Sequence, residues 1–243
     1  MCTVTYIPVK NTTFITSNRD EQRGRPPALA PECYQGKTGR LLYPKDSAAG
    51  GTWFVVHENG TVGVLLNGAC QKYTPQPPYR MSRGLILLEL VDSPNVMDNF
   101  KNLNLNNIEP FTLILLEAGG LYEGRWDGSK TTARPLDASQ PHIWSSVTLY
   151  DPPVIHQRKR WFEEWLQDYP NPDRENVGQF HRFSGDGDPH NDVLMNRDNK
   201  MLTVSITSLQ LTAGHARMSY QDIAADKSFE AQLPLTKRIQ VIA

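Results

Sequence analysis

What most constrains the fold is a recurring pair of short segments in which β-branched or aromatic residues alternate with polar ones around a tight-turn sequence. Residues 3–8 and 13–17 alternate in this way around Lys10-Asn11. Residues 51–57 and 62–66 do so around Glu58-Asn59-Gly60. Asn-Gly closes two-stranded hairpins well because both residues tolerate positive φ. Residues 111–117 and 121–126 flank Ala118-Gly119-Gly120, strands are expected at 201–212 and 216–221, and residues 238–242 read as a last strand. Strands adjacent in sequence tend to pair, so this pattern predicts antiparallel sheet.

Helices are inserted between these hairpins in blocks. Ser82 is an N-cap for the apolar stretch ending at Val91, and Ser93-Pro94 reads as a cap and first helical residue leading to Val96, Met97, Phe100 and Leu103. A longer helix is expected over residues 154–168 and a short one over 175–183. In the longer one Ile155, Phe162, Trp165 and Leu166 share a face, while Arg158, Arg160, Glu163 and Glu164 point the rest toward water. Strands and helices in blocks, rather than in strict alternation, describe an α+β layered fold. No linker, repeat or low-complexity tract interrupts the 243 residues, so a single domain over 1–243 is expected.

Composition narrows the function. With 25 Lys+Arg against 26 Asp+Glu the net charge is −1, which argues against a nucleic-acid partner. No apolar run reaches the ~18–20 residues of a transmembrane segment, and the first residues lack the basic and apolar regions of a secretory signal. Three cysteines, Cys2, Cys33 and Cys70, make no disulfide framework and fit a reducing, cytoplasmic setting. Gly36-Lys37-Thr38 mimics the end of a phosphate-binding loop, but its first glycine would have to be Pro31. The run from Asp186 to Asp192 is rich in oxygen ligands, yet Asn191 and Arg197 stand where a calcium loop needs glycine and glutamate. No zinc-type spacing or Gly-x-Ser-x-Gly occurs, so no metal is expected.

Position singles out Cys2. Removal of a methionine before a small residue would make it the first residue of the mature chain, with a thiol nucleophile and an α-amine base on one residue. The second strand of the first hairpin ends in Ser17-Asn18-Arg19-Asp20-Glu21, which returns beside the start of the first strand. A guanidinium at Arg19 would favour the thiolate, and a carboxylate at Asp20 would orient the amine. In Leu65-Leu66-Asn67-Gly68 a strand runs into a glycine turn, where the Asn67 amide can face a developing oxyanion and the adjacent backbone N–H can assist. Gly50-Gly51-Thr52-Trp53 serves either a tight strand entry or close approach of backbone to a ligand. Trp53, Trp126, Trp161 and Trp165 are candidates for a hydrophobic pocket, with core packing the alternative role.

Met1-Cys2-Thr3-Val4, Ser17-Asn18-Arg19-Asp20-Glu21, Gly50-Gly51-Thr52-Trp53 and Leu66-Asn67-Gly68 together resemble the NRDE-motif family, also called the transport and Golgi organisation protein 2 family. That family resembles the cysteine branch of the N-terminal-nucleophile hydrolases. The resemblance implies an αββα sandwich of two antiparallel sheets between helix layers, and a catalytic set of Cys2, Arg19, Asp20 and Asn67. A second substrate-side asparagine of the branch would fall near Trp144-Ser145-Ser146, where this chain has serine. A late arginine would be Arg182, Arg197 or Arg217. The implied activity is cleavage of a linear amide C–N bond in a small amphipathic substrate, without a cofactor. The alternative implied by the family is a non-catalytic carrier of haem or of lipid and acyl-CoA, with axial haem ligands drawn from Cys2, His57, His142, His156, His181, His190 and His215.

Overall fold

A computed structural model describes residues 3–236. The first half of the chain forms β1 (Thr3–Val9), β2 (Thr12–Gln22), β3 (Leu29–Gln35), β4 (Arg40–Lys45), β5 (Phe54–His57), β6 (Val62–Asn67), α1 (Arg83–Val91) and α2 (Val96–Asn102). It continues through β7 (Phe111–Glu117), β8 (Gly120–Trp126), β9 (Thr131–Leu136), β10 (His142–Ser145), α3 (Pro152–Asp168) and α4 (Arg174–Phe183). The last strands are β11 (Asn196–Arg197), β12 (Met201–Thr212), β13 (His215–Asp222) and β14 (Lys227–Pro234). The strand expected at 238–242 lies outside the described residues.

All the expected hairpins form, and every strand pairing among the described residues is antiparallel. One seven-stranded sheet has the order β10-β1-β2-β12-β13-β14, with the short β11 beside β12. The other seven-stranded sheet is a meander from β3 to β9. The two sheets pack face to face. Val4, Tyr6, Ile15 and Leu209 of the first interdigitate with Phe54, Val56, Val64 and Ile114 of the second. Because strand side chains alternate, the opposite faces are left to the helices. Leu113 and Leu115 pack under Ile86, Leu90 and Phe100 of α1 and α2, while Ile7 and Phe14 pack under Phe162 and Phe180 of α3 and α4. The result is a four-layer αββα sandwich, as expected. Its central strands are buried on both faces, which is why residues 113–116 of β7 read as an unbroken apolar run rather than an alternating one.

Ser82 caps α1 as expected, its side chain accepting from the Leu85 N–H. Two helical expectations are corrected. Ser93 does not cap the second helix; its hydroxyl donates to the Leu90 carbonyl at 2.6 Å. The helix begins at Val96, after Asn95 in the left-handed region (φ 52°). Its first N–H groups are satisfied from outside, by Glu117 at the end of β7, which accepts from Val96 at 2.6 Å and Met97 at 3.1 Å. Arg158, expected to face water, is fully buried. Among the described residues no helix is long and apolar enough to cross a membrane.

Candidate active site

The Asn18-Arg19-Asp20 segment ends β2, between β1 on one side and β12 on the other. The β1–β2 register runs Val4↔Ser17 and Thr3↔Asn18. On the other flank the β2–β12 register shifts between Thr203 and Ser205, where Asp20 and Arg19 pair. Such bulges re-aim side chains locally. Strand alternation sends Arg19 between the sheets, and Asn18 and Asp20 toward the helices.

Arg19 is buried, with its guanidinium over the Trp53 ring, 4.6 Å from the centroid. Its Nη2 donates to Asp46 at 3.1 Å and to Glu21 at 3.4 Å, and Arg25 reaches the same Asp46 oxygen at 2.7 Å. Burial works against the charge on Asp46, but the Ala49 N–H, Arg25 and Arg19 outweigh it and hold the carboxyl below its ordinary range. Asp20 is also buried. One of its oxygens accepts from the Tyr150 hydroxyl at 2.8 Å and the other from Thr203 at 2.6 Å.

Asn67 terminates β6, half-buried, and its side chain makes no hydrogen bond among the described residues. Its backbone is pinned instead. Ser146 donates to its carbonyl at 2.8 Å, and Gly68 follows at φ +78°. A Cβ on Gly68 would come within 2.8 Å of both Val147 and Thr148, so glycine is required there for conformation and for space. The Gly68 N–H, expected to assist at an oxyanion, donates to the Pro110 carbonyl at 3.1 Å. Of the two donors expected there, only the Asn67 side-chain amide is without a partner among the described residues.

Arg19, Trp53 and Asn67 line one cavity of about 470 Å³, rimmed by Asp46, Arg83 and Glu109. Asp20 stands behind it, toward the helices. Thus three of the four residues singled out from sequence lie in the described structure, and two of them converge on one cavity. Cys2 lies outside the described residues. Gly51 lines this cavity, and a Cβ there would meet the Gly84 backbone of α1 at 2.5 Å, so the close approach that requires glycine is to this helix. The Trp53 indole Nε1–H is buried with no hydrogen-bond partner among the described residues.

Behind β1 lies a group that sequence reasoning missed. The buried Arg158 donates to the Thr3 hydroxyl and to the carbonyls of Asn191 and Asp192. Its guanidinium stacks on Tyr150, 3.7 Å from the ring centroid, and Tyr150 in turn donates to Asp20. Helical spacing held a signal for it, since residues 155, 158 and 162 lie on one face of α3. Beside it, His181 is fully buried, with Nδ1 2.7 Å from Asn18 Oδ1 and Nε2 2.8 Å from Thr5 Oγ1. Burial, assisted by the Arg158 charge, pushes the His181 pKa down to about 3. Asn18 also donates to the His181 and Val193 carbonyls, so β1, β2 and α4 are bolted together under the site.

The late-arginine candidates separate by position. Arg182 donates to Gln221, Arg217 pairs with Glu230 at 3.0 Å, and Arg197 lies 5.2 Å from the Tyr150 ring centroid. Of the histidines, His57 and His181 have both ring nitrogens engaged. His142 lines a second cavity and places Nε2 2.7 Å from the Asp137 carbonyl. The Asp186 to Asp192 loop spends its carboxylates on its own turn amides. Among the described residues no cluster could hold a metal ion.

Solved structures share this architecture. A cysteine-to-alanine mutant of conjugated bile acid hydrolase from Clostridium perfringens aligns over 95% of this chain and 92% of its own, at 10% identity and a TM-score of 0.61. An arginine-to-leucine variant of the same enzyme aligns over 100% of this chain and 98% of its own, at 11% identity and a TM-score of 0.62. A Caenorhabditis elegans ortholog of N-acylethanolamine-hydrolyzing acid amidase covers 86% of this chain and 92% of its own, at 10% identity and a TM-score of 0.58. At such identities the likeness establishes the fold, that of the N-terminal-nucleophile hydrolases. No curated protein sequence matches the chain. The Transport and Golgi organisation 2 family model matches residues 1–211. The chain belongs to the Transport and Golgi organisation 2 family.

Proposed function

We propose that this protein is an amide hydrolase whose nucleophile is the thiol of Cys2 at a free N-terminus. The observation that carries this reading is the convergence of Arg19 and Asn67, from different sheets, on one cavity. The β1–β2 register supports it, since Arg19 directly follows Asn18, the partner of Thr3 at the start of β1. In the proposed cycle the α-amine takes the thiol proton and sulfur adds to the amide carbon. The oxyanion is stabilised by the Asn67 side chain, whose N–H donors are uncommitted among the described residues. Collapse breaks the C–N bond, and the leaving amine takes the proton from the terminal ammonium. The same amine then activates water to hydrolyse the thioester, releasing the acid and restoring the thiol. Arg19 favours the thiolate, and Asp20, fixed by Tyr150 and Thr203, orients the amine.

The mechanism requires removal of Met1, and a thiol nucleophile suits the reducing cytoplasm. For the haem-carrier alternative the described histidines supply no comparable convergence. The test is amine release from an N-acyl p-nitroanilide series by the natural chain, Cys2→Ala and Asn67→Ala. Turnover should vanish with Cys2→Ala and fall ~10²–10³-fold in kcat with Asn67→Ala, the loss typical of one oxyanion donor. Unchanged turnover in Cys2→Ala would refute the proposal.

A further inference from the structure

Two cations beneath the site have no carboxylate of their own. Arg158 of α3 is fully buried and spends its guanidinium on the Thr3 hydroxyl and the Asn191 and Asp192 carbonyls. Arg197 of β11, half-buried, donates to the His190 and Leu149 carbonyls, each at 3.0 Å. Among the described residues neither forms an ion pair. The acids of the loop they hold are committed elsewhere. The Asp192 carboxylate accepts from the Asp186 N–H at 3.0 Å, Asp188 from the His190 N–H at 3.0 Å, and Asp198 lies 3.3 Å from His190. His181, packed on the same side, is neutral, its pKa pushed down to about 3 by burial and by the Arg158 charge. Arg19 points to the other face, where Asp46 and Glu21 take its charge.

What the two cations share is Tyr150. Its buried ring centroid lies 3.7 Å from the Arg158 guanidinium and 5.2 Å from that of Arg197. Its hydroxyl donates to Asp20 at 2.8 Å, and Thr203 donates to the other Asp20 oxygen at 2.6 Å. A cation over a phenol ring is held by the π electrons and draws density from the oxygen, which makes the O–H a stronger donor. Such a donor grips a carboxylate tightly and fixes its direction. A buried guanidinium also needs a compensating negative charge, and Asp20 is the acid that the chain through Tyr150 reaches.

We propose that Arg158 is a positioning residue of the hydrolase site, acting with Arg197 through the Tyr150 ring and hydroxyl to lock the Asp20 carboxylate in the orientation that aims the Cys2 amine. Its other arm, to Thr3, ties the same guanidinium to the residue that follows Cys2. The catalytic consequence rests on the hydrolase reading; the coupling of the two arginines to Asp20 through Tyr150 does not.

The test applies two readouts to the natural chain, Tyr150→Phe, Arg197→Gln, Arg158→Met and Arg158→Lys. The first is the NMR shift of the Tyr150 hydroxyl proton, identified by its loss in Tyr150→Phe, which reports the strength of the bond to Asp20. It should move upfield in Arg197→Gln and Arg158→Met, and less in Arg158→Lys, which keeps the charge. Arg197 is half-buried, so its variant decides the matter if Arg158→Met does not fold. The second readout is turnover of the N-acyl p-nitroanilides. In Tyr150→Phe kcat should fall ~10–100-fold with KM unchanged, the loss expected when a reacting group is misaligned. Adding Arg197→Gln to Tyr150→Phe should cost little more, because the hydroxyl that transmits its charge is already gone. A merely structural role would lower Tm in the arginine variants and leave the hydroxyl shift in place. A hydroxyl proton unmoved in Arg197→Gln would overturn the coupling, and an unchanged kcat in Tyr150→Phe would overturn the positioning role. Absence of turnover in the natural chain would refute the hydrolase reading, and the hydroxyl shift would still decide the coupling.

Discussion

His181 gives the account a pH signature that can be worked out in advance. It is fully buried, both ring nitrogens are engaged, and its pKa in the folded chain is pushed down to about 3, against ~6.5 for a free imidazole. Between those values the unfolded chain carries a proton that the folded chain does not. The contribution of neutral His181 is thus fully present above pH ~6.5 and is lost as pH falls toward 3. The limiting slope is about 1.4 kcal/mol per pH unit, so two units below ~6.5 cost about 2.7 kcal/mol. Urea unfolding of the natural chain and of His181→Gln, followed at several pH values from 7.5 to 4.5, isolates this effect because the other titrating groups are common to both. At pH 7.5 His181→Gln should be the less stable, through disturbed bonds to Asn18 and Thr5. The gap should close by about 2.7 kcal/mol on acidification, and imidazole NMR should show His181 neutral throughout. Parallel stability curves, or an imidazole titrating near pH 6, would refute the reasoning.

Other perturbations probe the scaffold around the site. Arg158→Lys keeps a charge but cannot span Thr3, Asn191 and Asp192 while stacking on Tyr150. It should cost about 2–3 kcal/mol and lower Tm by roughly 5–10 °C in a thermal melt. Gly50 and Gly68 both have positive φ, but a Cβ meets nothing within 4 Å at Gly50 and two side chains at 2.8 Å at Gly68. Gly50→Ala should therefore cost about 1–2 kcal/mol from conformation alone, and Gly68→Ala clearly more in the same denaturant titration. Glu117→Ala removes the external cap of α2 and should cost about 1 kcal/mol, with faster amide exchange at Val96 and Met97.

Most of the missed strands have a common character, the interior β4 being the exception. The alternating hairpins and the apolar run at residues 113–116 were legible because central strands are buried on one or both faces and carry the pattern in their side chains. Four of the strands that sequence reasoning passed over, β3, β9, β10 and β14, are the sheet edges. Edges are shielded from further pairing by prolines and polar side chains, here Pro31, Pro135 and the exposed face of Lys227–Pro234, and these residues erase the strand signature. Arg19, Asp20 and Asn67 were legible because a motif marks them. Asp46, Tyr150, Arg158 and Thr203 join them only through contacts distant in sequence, and a charged residue on an apolar helical stripe reads as solvated until its partners are known. The Gly68 N–H shows the reverse case: a turn glycine promises a free donor, and the fold commits it to Pro110.

The central claim is that Cys2 is the acyl-accepting nucleophile. The most direct measurement is intact-mass and peptide mass spectrometry of the natural protein after exposure to an activated acyl ester. Cys33 and Cys70, both exposed, serve as internal controls. The account predicts a chain lacking Met1 and a single thioester on Cys2, formed much faster than any adduct at the other two thiols. A retained Met1, or acylation at Cys33 and Cys70 with Cys2 untouched, would contradict it.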